Sequence, residues 1–353
     1  MTIKKFDSLQ IYRGLAALGV IFHHLSLSVN TFVDEIPGWL YLLFNRGFLG
    51  VDFFFVLSGF IIMSSHFDDE KSVVALKSYG FKRFVRIFPP YWPISIALLV
   101  AYAMLPGFSQ GVRNELSLVS SILLLPDINP PALSVAWTLI HEMMFYIIFC
   151  LFFIKNRLFL ILMTVWIFSI FAMFLLKNKT HNPILMVLLN PINLDFVLGM
   201  LVAFLARKLS NRFAIILIFF GITIFSLLLF LSFSLEYRFL FGIPFSLLVL
   251  GTVLLERQRK LKFPHWMVLI GDASYSIYLV HNPLVGLTSR LVGRFPSFGT
   301  WGVGMLIGTV ASILIGVLYH LTVEKPLIRV FRKIFGDKSR SNSVESLTEK
   351  KYN

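Results

Sequence analysis

Cysteine is nearly absent from this chain. The single Cys150 can form no intrachain disulfide and no cysteine-based metal framework. Charge is scarce as well: 14% of the 353 residues are Asp, Glu, Lys or Arg, against about 25% in an ordinary soluble chain. Acids are the scarcer sign, with 18 Asp and Glu facing 32 Lys and Arg. What fills the space is apolar, 57% of the chain with 38 Phe among it. Together these shortages exclude a water-soluble globule. The basic excess could suggest a nucleic-acid partner, but the basic residues fall in the loops between apolar runs, so none is needed.

A helix crossing a bilayer needs about 20 mainly apolar residues. Runs of that kind, bounded by charged residues, Pro or Gly, lie at roughly 9–29, 47–65, 90–106, 135–154, 158–176, 184–205, 213–232, 239–255, 267–287 and 300–323. The expected fold is therefore all-α, a polytopic membrane protein of about ten transmembrane helices. Of the Lys and Arg residues, 24 fall in alternate loops and ends on one side and seven on the other, with Arg13 inside the first run. That bias predicts both termini in the cytoplasm. The first run carries Arg13, His23 and His24 and lacks a small-x-small cleavage site, which predicts a retained span rather than a signal peptide. Residues 1–335 are expected to form one membrane domain, and the polar stretch 336–353 a disordered cytoplasmic tail. Two loops have character of their own. Leu118 to Leu125 is apolar but too short to span, which suits an interfacial or re-entrant piece. The stretch 66–89 mixes basic residues with Phe81, Phe84 and Phe88 and predicts a basic interfacial helix stopped at Pro89-Pro90.

Ionisable side chains inside spans are costly and mark sites or helix contacts. They are Arg13, His23 and His24 in the first run, then Asp52, His141, Glu142, Asp195, Asp272, His281 and His320. Arg13 and His24 lie eleven residues apart, which is about three helical turns, so they share a face with a rise of roughly 16 Å between them. Ala16, Ala17 and Val20 line that face and leave room for a neighbour. Histidine is the natural proton acceptor near neutral pH, and Glu142 or Asp52 could orient it. Glu142 shares a helix face with Phe145, Tyr146 and Phe149. Arg83 and Arg86 are i, i+3 neighbours suited to gripping phosphate, though a cytoplasmic loop is rich in arginine for topological reasons too.

These residues resemble the membrane acyltransferase-3 family, whose bacterial members O-acetylate O-antigen, Nod factors and exopolysaccharides. The resemblance covers nearly the whole chain. It is carried by Tyr12-Arg13-Gly14-Leu15-Ala16-Ala17 running to His24, by Gly50-Val51-Asp52 through Phe60, and by Arg83-Phe84-Val85-Arg86. It continues with Trp137-Thr138-Leu139-Ile140-His141-Glu142 through Tyr146, Asp195-Phe196-Val197-Leu198-Gly199-Met200, Ser274-Tyr275-Ser276-Ile277-Tyr278-Leu279-Val280-His281 and Glu324-Lys325-Pro326.

The resemblance implies an enzyme of the bacterial inner membrane that moves an acyl group, acetyl above all, from cytoplasmic acyl-CoA to a hydroxyl of a cell-surface or secreted glycan or lipid-linked saccharide. His24 would be the general base or a covalent acyl relay, with Glu142 beside it. Arg13, Arg83 and Arg86 would bind the acetyl-CoA donor, and Asp52, Trp137, Tyr146 and His281 the substrates; no metal is implied. Many relatives add a further span and an extracytoplasmic esterase-like domain, so a separate extracytoplasmic transferase is an expected partner if direct transfer does not occur. A succinyl or longer acyl group is the alternative donor. The competing class is a transporter or flippase of a lipid-linked saccharide, which predicts two related halves with matching broken helices; no such pair is legible in the sequence.

Overall fold

The computed structural model describes residues 6–335 apart from 105–114, 178–179, 232–234, 259–260, 296 and 298. The expected tail 336–353 lies outside the described residues. In chain order the helices are α1 Asp7–Phe32, α2 Gly38–Asn45, α3 Gly50–His66, α4 Val73–Met104, α5 Leu118–Leu123, α6 Trp137–Phe149, α7 Asn156–Leu175 and α8 Pro183–Leu188. They continue as α9 Leu194–Lys208, α10 Ala214–Phe230, α11 Gly242–Gln258, α12 His265–Asp272, α13 Ser274–Gly293, α14 Trp301–Tyr319 and α15 Lys325–Phe335. No strand occurs among the described residues. The protein is all-α, and among the described residues eight helical stretches are long and apolar enough to cross a membrane. Large apolar side chains such as Ile215, Phe219, Ile222 and Phe230 stay exposed on α10, as lipid-facing surface requires.

Two of the ten expected spans are interrupted. The run 184–205 is divided into α8 and α9 at Asn190-Pro191. There asparagines satisfy the freed backbone groups: Asn190 accepts from the Ile192 N–H, while Asn193 Nδ2 donates to the Val187 and Leu188 carbonyls. The run 267–287 is divided into α12 and α13 at Ala273.

The chain forms two compact units. One comprises the chain through Asp68 with Thr164–Val317, the other Asp69–Met163 with the chain from Leu318 on. In the first unit α3 lies against α9 at the closest range that backbones permit. A side chain at Gly59 would strike the Phe196 carbonyl, and one at Gly199 the Val56 carbonyl. Phe55 and Phe196 stack beside this contact with ring centroids 4.2 Å apart. The crossing matters chemically because Asp52 opens α3 and Asp195 opens α9.

The start of α1 has no cap of its own, since Phe6 offers no side-chain acceptor. Glu256 of α11 supplies it: one oxygen accepts from the Asp7 N–H at 3.0 Å, the other from the Ser8 N–H at 3.3 Å and from the Ser8 hydroxyl. Glu256→Ala is expected to cost about 0.5–2 kcal/mol, the usual worth of a lost cap, read as a lower unfolding temperature in detergent. An unchanged temperature would mean that water caps α1 equally well.

In the second unit the expected stop at Pro89-Pro90 is corrected. The helix α4 runs through Pro89, Pro90 and Pro93 as one piece. Proline removes a backbone donor, and neighbouring groups hold the segment instead. Tyr91 Oη and Ser95 Oγ donate to the Ser121 carbonyl at 2.8 and 2.6 Å, and Trp92 Nε1 donates to Ile122 O at 2.9 Å. The short apolar piece 118–125 is thus a real helix, α5, clamped to the proline segment and ended by Leu124 in the left-handed region (φ 53°). Tyr319 Oη donates to the Pro90 carbonyl at 2.7 Å. Beyond it the end of α14 widens into a π-turn, His320–Glu324, before α15.

Candidate active site

His24 lies on α1 among imidazoles. Its ring centroid is 5.0 Å from that of His23 and 5.2 Å from that of His281 on α13. The same stripe of α1, with Ala17, Ile21 and Leu25, packs with Ala273 and Ile277 into one core cluster, and this brings the two helices together. The three histidines differ in what holds them. His23 Nδ1 meets the Asn45 carbonyl at 2.9 Å. A carbonyl only accepts, so His23 carries its hydrogen there. His281 is fully buried; its Nδ1 likewise donates to the Tyr278 carbonyl at 2.6 Å, and its Nε2 is buried without a partner. The half-buried His24 makes no hydrogen bond to any described residue. Its ring nitrogens are therefore open to a ligand.

Arg13 lies on the same helix, its Nη1 3.3 Å from Gln10 Oε1. The wall beyond His281 is aromatic, with Tyr278 5.3 Å from it and Phe54 5.9 Å from Tyr278, centroid to centroid.

Asp52 does not orient a histidine. It is fully buried and takes two hydrogen bonds from one guanidinium, Arg238 Nε at 3.0 Å and Nη2 at 2.6 Å. Asp195 is also fully buried beside the Asp52 carboxyl group, and no N–H or ordinary hydroxyl donor among the described residues reaches its oxygens. A side chain at position 242 would strike Asp195 Oδ1, so Gly242 is what admits that carboxylate. Arg238 was legible only as one basic residue of an outer loop. The available signal was indirect: two acids inside spans require a cation, and Arg238 adjoins the start of the run 239–255.

The other expected residues belong to the second unit. On α6 the Tyr146 hydroxyl donates to Glu142 Oε1, joining the two members of the predicted face. Arg83 of α4 sits with its guanidinium carbon 5.6 Å from the ring centres of both Tyr79 and Tyr146. Arg83, Tyr146 and Glu142 are thus brought together. Trp137 opens α6 with its ring 5.7 Å from that of the buried His141. Arg86 points elsewhere, its Nη1 2.5 Å from Oε1 of the buried Glu324.

The comparisons with known proteins decide the family. The family described as the acyltransferase domain, the third of its name, matches residues 6–321. The chain belongs to this family. Among its relatives is the exopolysaccharide production protein ExoZ of Rhizobium meliloti, 29% identical over 81% of this chain and 91% of that protein. Another is the peptidoglycan O-acetyltransferase OatA of Listeria monocytogenes, 26% identical over 92% of this chain and 56% of that longer protein. No solved structure matches the chain.

Proposed function

We propose that this acyltransferase moves an acetyl group from acetyl-CoA, taken up on the cytoplasmic side of the bacterial inner membrane, to a hydroxyl of a glycan on the far side. The observation that carries the reading is His24, an imidazole between two others whose own nitrogens have no partner among the described residues. The family supports acyl transfer, and the names of ExoZ and OatA support a polysaccharide acceptor. The Lys and Arg bias supports both termini in the cytoplasm.

In this reading a neutral His24 takes the proton of the acceptor hydroxyl as its oxygen forms a bond to the thioester carbon. The tetrahedral oxyanion then collapses, the carbon–sulfur bond breaks, and the CoA thiolate leaves with the proton held on His24. His281, with its lone pair open at Nε2, receives a neighbouring hydroxyl of the acceptor. Asp52 serves through Arg238, as a positioning residue. Arg83 leads the binding of the donor phosphates, with Arg86 and Arg13; Glu142 serves in carrying the proton away, and Tyr146 and Trp137 bind substrate.

Arg83→Ala is expected to weaken acetyl-CoA binding about 10–100-fold, the worth of one or two charge-assisted hydrogen bonds, in equilibrium binding by detergent-purified protein. Unchanged affinity would return Arg83 to a topology signal. The function itself is tested by mass spectrometry of surface glycans from cells with and without the gene. Loss of a base-labile ester of acetyl mass is expected, and identical glycans would overturn the reading. Transport of saccharide into vesicles without consumption of acetyl-CoA would favour a transporter instead.

A further inference from the structure

We infer that His320, held by Glu324, is a donor-binding residue whose Nε2 accepts a hydrogen bond from the amide-bearing arm of acyl-CoA. The inference rests on the donor assignment above and deepens it. Its first support is placement. His320 and Glu324 open and close the π-turn at the end of α14, and such turns, rare in helices, concentrate at functional sites. Both side chains are buried, while Leu321 and Thr322 between them are exposed.

The second support is geometry. Glu324 is a bridge: Oε1 takes Arg86 Nη1 at 2.5 Å and Oε2 takes His320 Nδ1 at 2.7 Å. A carboxylate only accepts, so Nδ1 carries the hydrogen, and in the neutral form of the ring the lone pair stands at Nε2. That Nε2 is buried and has no hydrogen-bond partner among the described residues. An unmade buried hydrogen bond costs more than a made one returns, and folded chains rarely keep one without use.

The third support is what lies around the ring. Through Glu324 it is tied to Arg86, three residues from Arg83 on α4, and Tyr319 fastens the start of the turn to Pro90 of the same helix. The ring thus stands in the unit that carries the donor arginines. Its own ligand is not phosphate, because the Glu324 carboxylate behind it would face a second anion. It is a neutral group with a hydrogen to give, and the amide N–H groups along the arm of acyl-CoA have that chemistry.

The test compares two donors, acetyl-CoA and phosphate-free acetyl-pantetheine, by equilibrium binding to the full chain in detergent. His320→Asn keeps a donor to Glu324 in place of Nδ1 and removes Nε2. His320→Gln reaches toward the Nε2 position with an acceptor. His320→Asn is expected to weaken both donors by a similar five- to tenfold, about one hydrogen bond, and His320→Gln to recover part of the loss. Arg83→Ala should weaken acetyl-CoA alone. A structural histidine predicts the reverse order, with His320→Asn binding both donors like the natural protein, and that result overturns the inference. Loss confined to acetyl-CoA would place phosphate at His320 and overturn it too. Absence of acetyl-CoA binding by the unaltered protein would instead remove the donor assignment itself. Should His320→Asn fail to fold, His320→Phe carries the same comparison.

Discussion

Purified His24→Ala protein is expected to transfer acetyl groups about 10²–10⁴-fold more slowly than the natural enzyme, the usual contribution of a positioned general base, while unfolding at nearly the same temperature. The rate should fall because nothing else replaces this acceptor. His281 is fastened through Nδ1 to the Tyr278 carbonyl and is assigned to a neighbouring hydroxyl rather than the reacting one, and His23 is tied to the Asn45 carbonyl. The fold should survive because His24 makes no hydrogen bond to a described residue, and alanine is the best helix former for the position on α1. Labelled acetyl transfer in proteoliposomes, run beside a thermal melt, separates the two effects. His23→Ala is the matched control: it removes a neighbouring ring and one backbone contact and should leave turnover within a few-fold. A His24→Ala enzyme that keeps most of its rate, or a His23→Ala enzyme that loses as much, would unseat His24.

Arg238→Ala is expected to be the most destabilising single substitution in the first unit, by about 3–5 kcal/mol, because it strands a buried carboxylate. Arg238 gives Asp52 two hydrogen bonds at 3.0 and 2.6 Å, and its charge also acts on Asp195, whose carboxyl group lies beside that of Asp52. A buried ion pair need not stabilise relative to well-packed apolar residues, whereas half of one is costly. The double substitution Asp52→Leu with Arg238→Met should therefore be milder than Arg238→Ala alone, which a double-mutant cycle on unfolding midpoints reads directly. A single-variant loss under about 1 kcal/mol would mean that Asp52 carries no charge in the folded protein, contrary to this account. Among the molecules that remain folded, KM for the acceptor should rise more than kcat falls, because Asp52 acts through Arg238 as a positioning residue; activity that merely follows the folded fraction would make the pair structural.

Much of the architecture was legible in local composition. Eight of the expected apolar runs coincide with helices that can cross a membrane, because transfer into lipid is decided by some 20 consecutive side chains whatever lies elsewhere. The piece at Leu118 was legible as apolar and too short to span, and the structure adds that it is helical. The face of Glu142 and Tyr146 was legible from helical spacing, and the structure closes it with a hydrogen bond. The proline stop was misread because its outcome depends on distant partners: Ser121, Ile122 and Tyr319 hold a segment that local rules would end. The breaks at Asn190 and Ala273 were hidden because apolar counts do not register where a helix turns.

Sequence alone determined that this is a membrane-embedded, all-helical chain, which residues repeat the acyltransferase pattern, and that Arg13 and His24 share one face of the first helix. Only the tertiary structure decided which charge answers which. Arg238 reaches Asp52 across 186 residues of chain, and Arg86 reaches Glu324 across 238. The physical reason is range. Solvation by lipid is settled within one helix, whereas a buried ion can be stabilised by any group that folding brings within about 3 Å, and spacing along the chain says nothing about which group that will be.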